Sequence, residues 1–433
     1  MSSTIQELID GSRLTGLQIA VVTTCFVLNM LNGMNVLAIS FSAAAIASEW
    51  SITPQSLGIV YSSALLGLTA GAVVLSPYAD KVGRHKVILF CLALMSAGMA
   101  ATATAKSVTE LVLLRFLGGL GVGPILSAMT SIVSEYSPNR LRNFFVLVLH
   151  AGYPIGAIVT GMIAAAILPH QGWQMLFVIG GCASFVGIPL VILLLPESLE
   201  FLTRKRRSDA LQKVNKILTK MALSPLELLP TTESTQQPAS TVSSLFHGDL
   251  RKSTVDLWIA LFMSFGTLYF LLSWVVKLAI ESGLTLDYAI SAGISLNLGG
   301  FAGGVSLGAL SNRFGLTRMI AAFAILGGMF SIVHGIAHVD AIAWLVLAFV
   351  LMFFVQGAFT GLYAVAARVY PSEIRATGVG WAIGAGHIGA VCGPVAAGLM
   401  LGTGLSIGWT FAVFALPLIL SAVFVSRIRY PAE

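Results

Sequence analysis

The sequence predicts an all-α membrane protein whose twelve transmembrane helices form two pseudo-symmetric six-helix bundles. Hydrophobic residues make up 57% of the 433 residues and charged residues only 10%, a composition that would leave a soluble globule with a largely apolar surface. Apolar runs of about 20 residues, long enough to cross a hydrocarbon core of about 30 Å, occur six times on each side of a polar loop. Short motifs also recur between the two halves.

The apolar runs place the spans, which are numbered 1 to 12 in chain order. We expect them at 18–47, 54–78, 87–105, 109–135, 142–167, 173–195, 255–279, 288–310, 318–337, 341–369, 375–401 and 408–426. The resulting domains are an N-terminal tail (1–17), a first bundle (18–197), a linker (198–254), a second bundle (255–426) and a C-terminal tail (427–433). The basic amphipathic start of the linker is expected to lie on the lipid surface.

The cations predict the orientation, because positively charged loops stay in the cytoplasm. Assigning alternate connections to the inside leaves only Lys106, Arg115 and Lys277 of the 24 lysines and arginines elsewhere. We therefore expect a multi-pass protein of the plasma (cell inner) membrane with cytoplasmic N- and C-termini. This bias and the attraction to anionic membrane lipids explain the net charge of +6, so no nucleic-acid partner is needed.

The two halves repeat each other at nearly one offset. "ADKVGRHK" after span 2 returns as "SNRFGLTR" after span 8, which pairs Gly83 with Gly315 at 232 residues. "PIGA" in span 5 aligns with "HIGA" in span 11, which pairs Pro154 with His387 at 233 residues. Such repetition is typical of transporters built from structural repeats.

These runs also carry a family resemblance. "GAVVLSPYADKVGRHK", "RFLGGLGVG" and the twelve-span plan resemble the major facilitator superfamily over the whole chain. "SEYSPNRLRN", "PESLEFL" and "YPSEIRATGVGWAIGAGHIGAVCGP" are similar to the aromatic acid/proton symporter family. The resemblance implies alternating access and proton-coupled symport of a small organic acid, expected to be aromatic.

The first repeated motif predicts a gate. A carboxylate near a helix end and its cationic neighbours can pair across helices in one state and separate in another. An anchor that only holds the loop inside is the alternative. The second copy has an asparagine in place of the acid, so its gate should be weaker. The gating candidates are Asp80, Gly83, Arg84, Asn312, Arg313 and Gly315.

Proton coupling is harder to place, because all eighteen acids fit in loops, tails or span ends. The resembled family carries aspartates where this chain has Asn32 and Asn35, and an arginine where it has His387. An amide forms hydrogen bonds but cannot carry a proton, whereas imidazole titrates near neutrality. The candidates for coupling are Arg115, Glu135, His150 and His387.

Side chains at mid-membrane depth, on the spans that line the pathway in the resembled superfamily, are the candidates for the substrate site. Aromatic faces with a few hydrogen-bonding groups suit a small, flat, mostly apolar solute. The candidates are Asn29, Asn32, Asn35, Tyr153, Tyr269, Trp274, Asn297, Gln356, Tyr363, Trp381 and His387.

The sequence therefore predicts a monomeric secondary transporter of a small molecule, and the family resemblance implies protons as the coupling ion. An uncoupled facilitator or exporter of a neutral or zwitterionic solute is one alternative, and a non-transporting membrane receptor is another. No enzyme motif lies within the spans, and the four cysteines occur singly in apolar runs. We expect no catalytic residues, metal or cofactor.

Overall fold

The structure is a computed structural model, and it describes residues 5–205, 208–229, 242–248, 250–337, 339–371 and 374–428. Part of the predicted linker (230–241) and the C-terminal tail from 429 lie outside the described residues, as do residues 1–4 of the N-terminal tail. Predictions that fall on those segments stay predictions.

Eleven helices in the described part of the chain are long and apolar enough to cross a membrane. One of them contains spans 5 and 6, because Gly172 breaks it with a φ of 75°. The twelve predicted spans are thus confirmed, with ends that agree to within a few residues. The helices are Gly16–Trp50, Pro54–Val74, Arg84–Thr102, Val108–Tyr136, Asn139–Leu194, Leu250–Glu281, Leu286–Phe314, Leu316–Ile336, Ala341–Val369, Arg375–Gly402 and Ile407–Ser426.

Span 2 ends earlier than the sequence predicts. Its helix stops at Val74, and a separate short helix, Ser76–Val82, follows with a proline in its first turn. Pro77 has no backbone N–H and cannot continue the hydrogen bonds of the preceding helix. Gly83 then turns the chain into span 3 with a φ of 111°.

Other short helices flank the spans. Ile5–Asp10 precedes span 1, Leu199–Lys205 and Ala210–Lys220 follow span 6, and the 3-10 helix Val242–Phe246 precedes span 7. The linker helix Ala210–Lys220 was expected to lay its apolar face on lipid. This expectation is wrong, because Val214 and Leu218 are completely buried against protein; its lysines remain exposed.

Contacts divide the chain into two compact units. Unit 1 comprises Met1–Val36, Leu66–Gly156 and Phe177–Thr235, and unit 2 comprises Leu37–Leu65, Ala157–Leu176 and Gln236–Glu433. The boundaries therefore cut through spans 1, 2, 5 and 6, and the domain division derived from the sequence stays a prediction.

In unit 1, glycines let spans approach each other closely. Gly71 of span 2 lies against the carbonyl oxygen of Leu120 in span 4, and Gly156 of span 5 lies against that of Met30 in span 1. A Cβ at either glycine would collide with backbone. Spans 1 and 5 and spans 2 and 4 are therefore packing partners.

Unit 2 repeats this pattern. Gly303 of span 8 lies against the carbonyl oxygen of Phe353 in span 10, and Gly389 of span 11 against that of Phe262 in span 7. Each of these four residues lies 232 or 233 residues after its counterpart in unit 1. The two halves thus use the same helix pairs and the same contact points, which is the structural form of the repeat seen in the sequence.

Candidate functional site

Span 1 carries three buried asparagines that follow one another at about one helical turn. Asn29 donates through Nδ2 to the carbonyl oxygen of Leu149 in span 5, at 3.0 Å. Asn32 donates through Nδ2 to Oδ1 of Asn29, at 3.5 Å. Oδ1 of Asn32 is buried and has no hydrogen-bond partner among the described residues. An acceptor is thus available at Asn32.

Arg115 of span 4 is completely buried beside the third asparagine. Its Nη2 donates to the backbone oxygen of Asn35 and, at 3.3 Å, to the side-chain Oδ1. Nη1 lies 3.3 Å from Sδ of Met99, and the guanidinium lies 5.4 Å from the ring centre of Phe177. All of these neighbours are neutral.

No carboxylate in the described part of the chain forms an ion pair with Arg115. A buried cation without a counterion creates a strong positive potential, because the low local dielectric screens it poorly. The contact also orients Asn35: Oδ1 accepts from Arg115, so Nδ2 points elsewhere and has no partner among the described side chains and backbone. Unit 1 therefore offers a donor on Asn35 and an acceptor on Asn32 near one positive charge.

Unit 2 contains an aromatic cluster centred on Phe265 of span 7. The ring of Phe265 lies 5.0 Å from that of His387, 4.7 Å from Phe359, 6.1 Å from Tyr269 and 6.3 Å from Tyr363. His387 Nδ1 lies 3.0 Å from the backbone oxygen of Ile383, so Nδ1 carries a proton and donates it. The other ring nitrogen, Nε2, is not used by this bond.

The structure thus brings together three predicted site residues, Tyr269, Tyr363 and His387. Sequence reasoning missed Phe265 and Phe359, although each precedes one of the tyrosines by four residues. That spacing places both members of a pair on one helix face. It was the sequence signal that could have identified the two phenylalanines.

Other predicted binding residues lie in different surroundings. Trp274 is buried and donates to the backbone oxygen of Pro394, at 3.1 Å. Asn297 donates to Gly293 of its own helix, and Trp381 is half exposed and stacks on Trp258. Among the remaining candidates, Tyr153 and Gln356 are half-buried and His150 is exposed.

The first gating motif forms a charged network in unit 1. Arg84 pairs with Glu135 at the end of span 4, with Glu200 at 3.0 Å and with Asp80 at 3.9 Å. Ser198 donates to Glu135, at 2.7 Å. Glu135, predicted as a proton-coupling candidate, therefore forms an ion pair with Arg84.

"PESLEFL" supplies the partners that the sequence did not assign. Besides Ser198 and Glu200, its Glu197 accepts from the backbone N–H of His85 at 3.1 Å, and its backbone oxygen accepts from the Tyr136 hydroxyl at 2.7 Å. The segment after span 6 thus ties span 3 to span 4. Of its two glutamates, Glu200 pairs with Arg84.

The second motif copy lacks such a network. Arg313 stacks on Phe314 at 5.2 Å and forms no ion pair with any residue that the structure describes. Gly315 has a φ of 88°, like its counterpart Gly83, but no atom lies near where its Cβ would be. Asn312 is exposed. The turn is repeated and the charge pairing is not.

Comparison with known proteins gives the family. Residues 25–360 and 298–433 match the model of the Major Facilitator Superfamily. The chain belongs to the Major Facilitator Superfamily. It is thus a multi-pass membrane transporter and not an enzyme.

Individual relatives extend over nearly the whole chain. The 4-hydroxybenzoate transporter PcaK of Pseudomonas aeruginosa is 32% identical over 96% of this chain and 93% of its own. A gallate transporter of Pseudomonas putida is 30% identical over 97% and 93%. Among solved structures, the inward-open xylose transporter XylE of E. coli superimposes with a TM-score of 0.74 over 95% and 96% of the two chains, at 17% identity. This last likeness concerns the fold of the superfamily alone.

Proposed function

We propose that this transporter moves a small aromatic carboxylic acid across the plasma membrane by alternating access. The observation that carries the proposal is the completely buried, unneutralised guanidinium of Arg115. A buried positive charge favours an anionic solute over a neutral or cationic one. The relatives named above transport aromatic acids, which supports this class of anion.

Asn35 and Asn32 give the acid group and the ring different partners. Nδ2 of Asn35 is the donor for the carboxylate, and Arg115 acts through Asn35 as a positioning residue. Oδ1 of Asn32 is an acceptor for a ring hydroxyl, such as that of 4-hydroxybenzoate. A site built to bond a hydroxyl discriminates against the analogue that lacks it, because its polar group is then left unpaired.

Uptake of labelled 4-hydroxybenzoate into proteoliposomes tests the proposal. Asn32→Ala should raise the apparent KM for 4-hydroxybenzoate by about two- to ten-fold, the value of one hydrogen bond, and change the KM for benzoate less. Asn143→Ala is the matched control, since Asn143 is exposed. Absence of uptake by the wild type, or an equal effect on both acids, would contradict the proposal. Ligand-induced thermal stabilisation without uptake would favour the receptor alternative.

Transport has two candidate modes, one coupled to protons and one uncoupled. The family resemblance predicts symport, and the candidate carriers are His387, His150 and Glu135. Uncoupled facilitation is favoured by the contact of Arg115 with Asn35, because an amide cannot carry a proton. Symport predicts that accumulation collapses when the imposed pH gradient is dissipated. Facilitation predicts equilibration that is independent of the gradient.

The topology is part of the proposal. We place both termini in the cytoplasm on the distribution of lysine and arginine, and we expect a monomer. Labelling of single cysteines from either side of intact cells tests the first expectation, and light scattering in detergent tests the second.

A further inference from the structure

Unit 2 contains a closely packed layer on the side of the membrane away from the termini. Here Trp274 of span 7 donates to the backbone oxygen of Pro394 in span 11, at 3.1 Å. Ser62 of span 2 donates to the backbone oxygen of Val391, at 2.6 Å. Gly58 allows span 2 to approach Pro394 so closely that a Cβ would collide with it. This far layer therefore joins span 2 to spans 7 and 11.

Tyr61 lies in the middle of the far layer. It is only 2% exposed, and its ring meets that of Trp274 edge to face with centroids 5.2 Å apart. Its hydroxyl oxygen is buried and has no hydrogen-bond partner among the described residues. A hydroxyl that loses water without gaining a partner destabilises the state in which it is buried.

The far layer closes the extracellular side if the transporter alternates as proposed above, and the inference rests on that proposed function. Opening separates span 2 from spans 7 and 11 and lets water reach the hydroxyl of Tyr61. The desolvation cost then applies to the closed state alone. Only such a difference between two states can shift their equilibrium.

We propose that Tyr61 weakens the closed extracellular gate through its unpaired hydroxyl and thereby sets how often the transporter opens outward. Ser62 acts in the opposite direction, because its hydrogen bond to the backbone oxygen of Val391 joins span 2 to span 11 and is lost when these spans separate. These two opposing contributions set the stability of the closed gate without any contact to the substrate. Tyr61→Phe should stabilise the closed gate and Ser62→Ala should weaken it.

The test measures the gate itself and needs no substrate. Spin labels are placed at Ser51→Cys and Ser282→Cys, two exposed positions on the loops between spans 1 and 2 and between spans 7 and 8. The exposed Cys182 and Cys392 are replaced by serine to remove background labelling. Pulsed electron paramagnetic resonance in proteoliposomes then gives the populations of short and long distances, with and without Tyr61→Phe.

We expect Tyr61→Phe to raise the ratio of short to long distances by about ten-fold, as for relief of one unpaired buried hydroxyl. Ser62→Ala should lower that ratio. Tyr288→Phe is the matched control, since Tyr288 is exposed in span 8, and it should leave the distances unchanged. An unchanged ratio in Tyr61→Phe, or a shift toward long distances, would overturn the proposal, as would no response to either gate variant.

Uptake separates this inference from the proposed function. If the outward-open population falls, the apparent affinity for external solute falls by the same factor. Shifted distances with no uptake of any aromatic acid would leave the gate standing and remove the substrate assignment. Normal uptake with unshifted distances would support the substrate assignment and remove the gate proposal.

Discussion

Asn35→Asp places a carboxylate oxygen where Arg115 now meets an amide oxygen at 3.3 Å. At an effective dielectric constant of about 20, unit charges at this distance attract by about 5 kcal/mol. Burying the carboxylate offsets several kcal/mol of this attraction. We expect a net gain of about 1 to 2 kcal/mol, because the arginine already lies buried without a counterion.

Thermal unfolding in detergent at neutral pH measures this gain, which corresponds to a rise of about 1 to 3 °C in Tm for a chain of this size. Uptake of 4-hydroxybenzoate should fall in the same variant, because the new carboxylate neutralises the charge that favours the anion. A variant that is both more stable and less active separates the electrostatic role from a purely structural one.

Asn29→Asp is the matched control in the same helix. Its Nδ2 donates to the backbone oxygen of Leu149, so the carboxylate would lose a donor and face an acceptor. We expect a loss of about 1 to 3 kcal/mol. If Asn35→Asp lowers Tm as much as Asn29→Asp does, the argument that Arg115 lacks a counterion is refuted.

Two further predictions concern the span ends on the same side of the membrane as the chain termini. Arg84→Met leaves three carboxylates without their cation and should lower stability by about 1 to 3 kcal/mol, whereas Arg313→Met should change it by less than about 0.5 kcal/mol; comparable losses in Tm would contradict the asymmetry of the two motifs. The backbone N–H of Asn139 lowers the pKa of Asp10, so the attachment of the N-terminal helix is present above about pH 4 and lost as pH falls through that lowered value. The protection of the Ile5–Asp10 amides against hydrogen exchange, relative to the intrinsic rate at each pH, should therefore fall at low pH. Asp10→Asn should remove that pH dependence.

The fold was predictable because the thickness of the membrane sets the length of every spanning helix. Every helix that crosses the membrane needs about 20 apolar residues, so counting apolar runs gave twelve spans with nearly correct ends. The break after Val74 was missed although Pro77 signalled it. The packing of the linker helix was missed for another reason: amphipathicity shows that an apolar face needs cover, and it does not distinguish lipid from protein.

The candidate site was predictable in its residue types and less so in its contacts. Asn32, Asn35 and Arg115 were chosen because polar groups are costly within a membrane, and the structure indeed gives them incomplete partners. The partners of Arg84 were only partly foreseen, since Glu200 lies more than a hundred residues away and reaches it through the fold. Trp274 was assigned to the substrate from its depth, and depth does not show the direction in which a side chain points.

The repeat could have predicted contacts as well as helices. Ser40 donates to the backbone oxygens of Leu272 and Ser273, which lie 232 and 233 residues further along the chain. This is the offset that relates the two halves. A residue that bonds its own counterpart lies close to the pseudo-symmetry axis of the repeats, and spans 1 and 7 are in contact at Ser40.

Contacts on either side of that axis come in pairs. Phe41 lies against Gly161 of span 5, and the residues 233 positions later, Trp274 and Pro394, form the hydrogen bond of the far layer. One contact therefore implies the position of the other, although its chemistry has diverged. Phe41 packs on a glycine through dispersion alone, whereas Trp274 adds a directed hydrogen bond that requires one geometry. Equivalent positions thus carry contacts of unequal strength, and the stronger one holds span 7 to span 11 in the far layer.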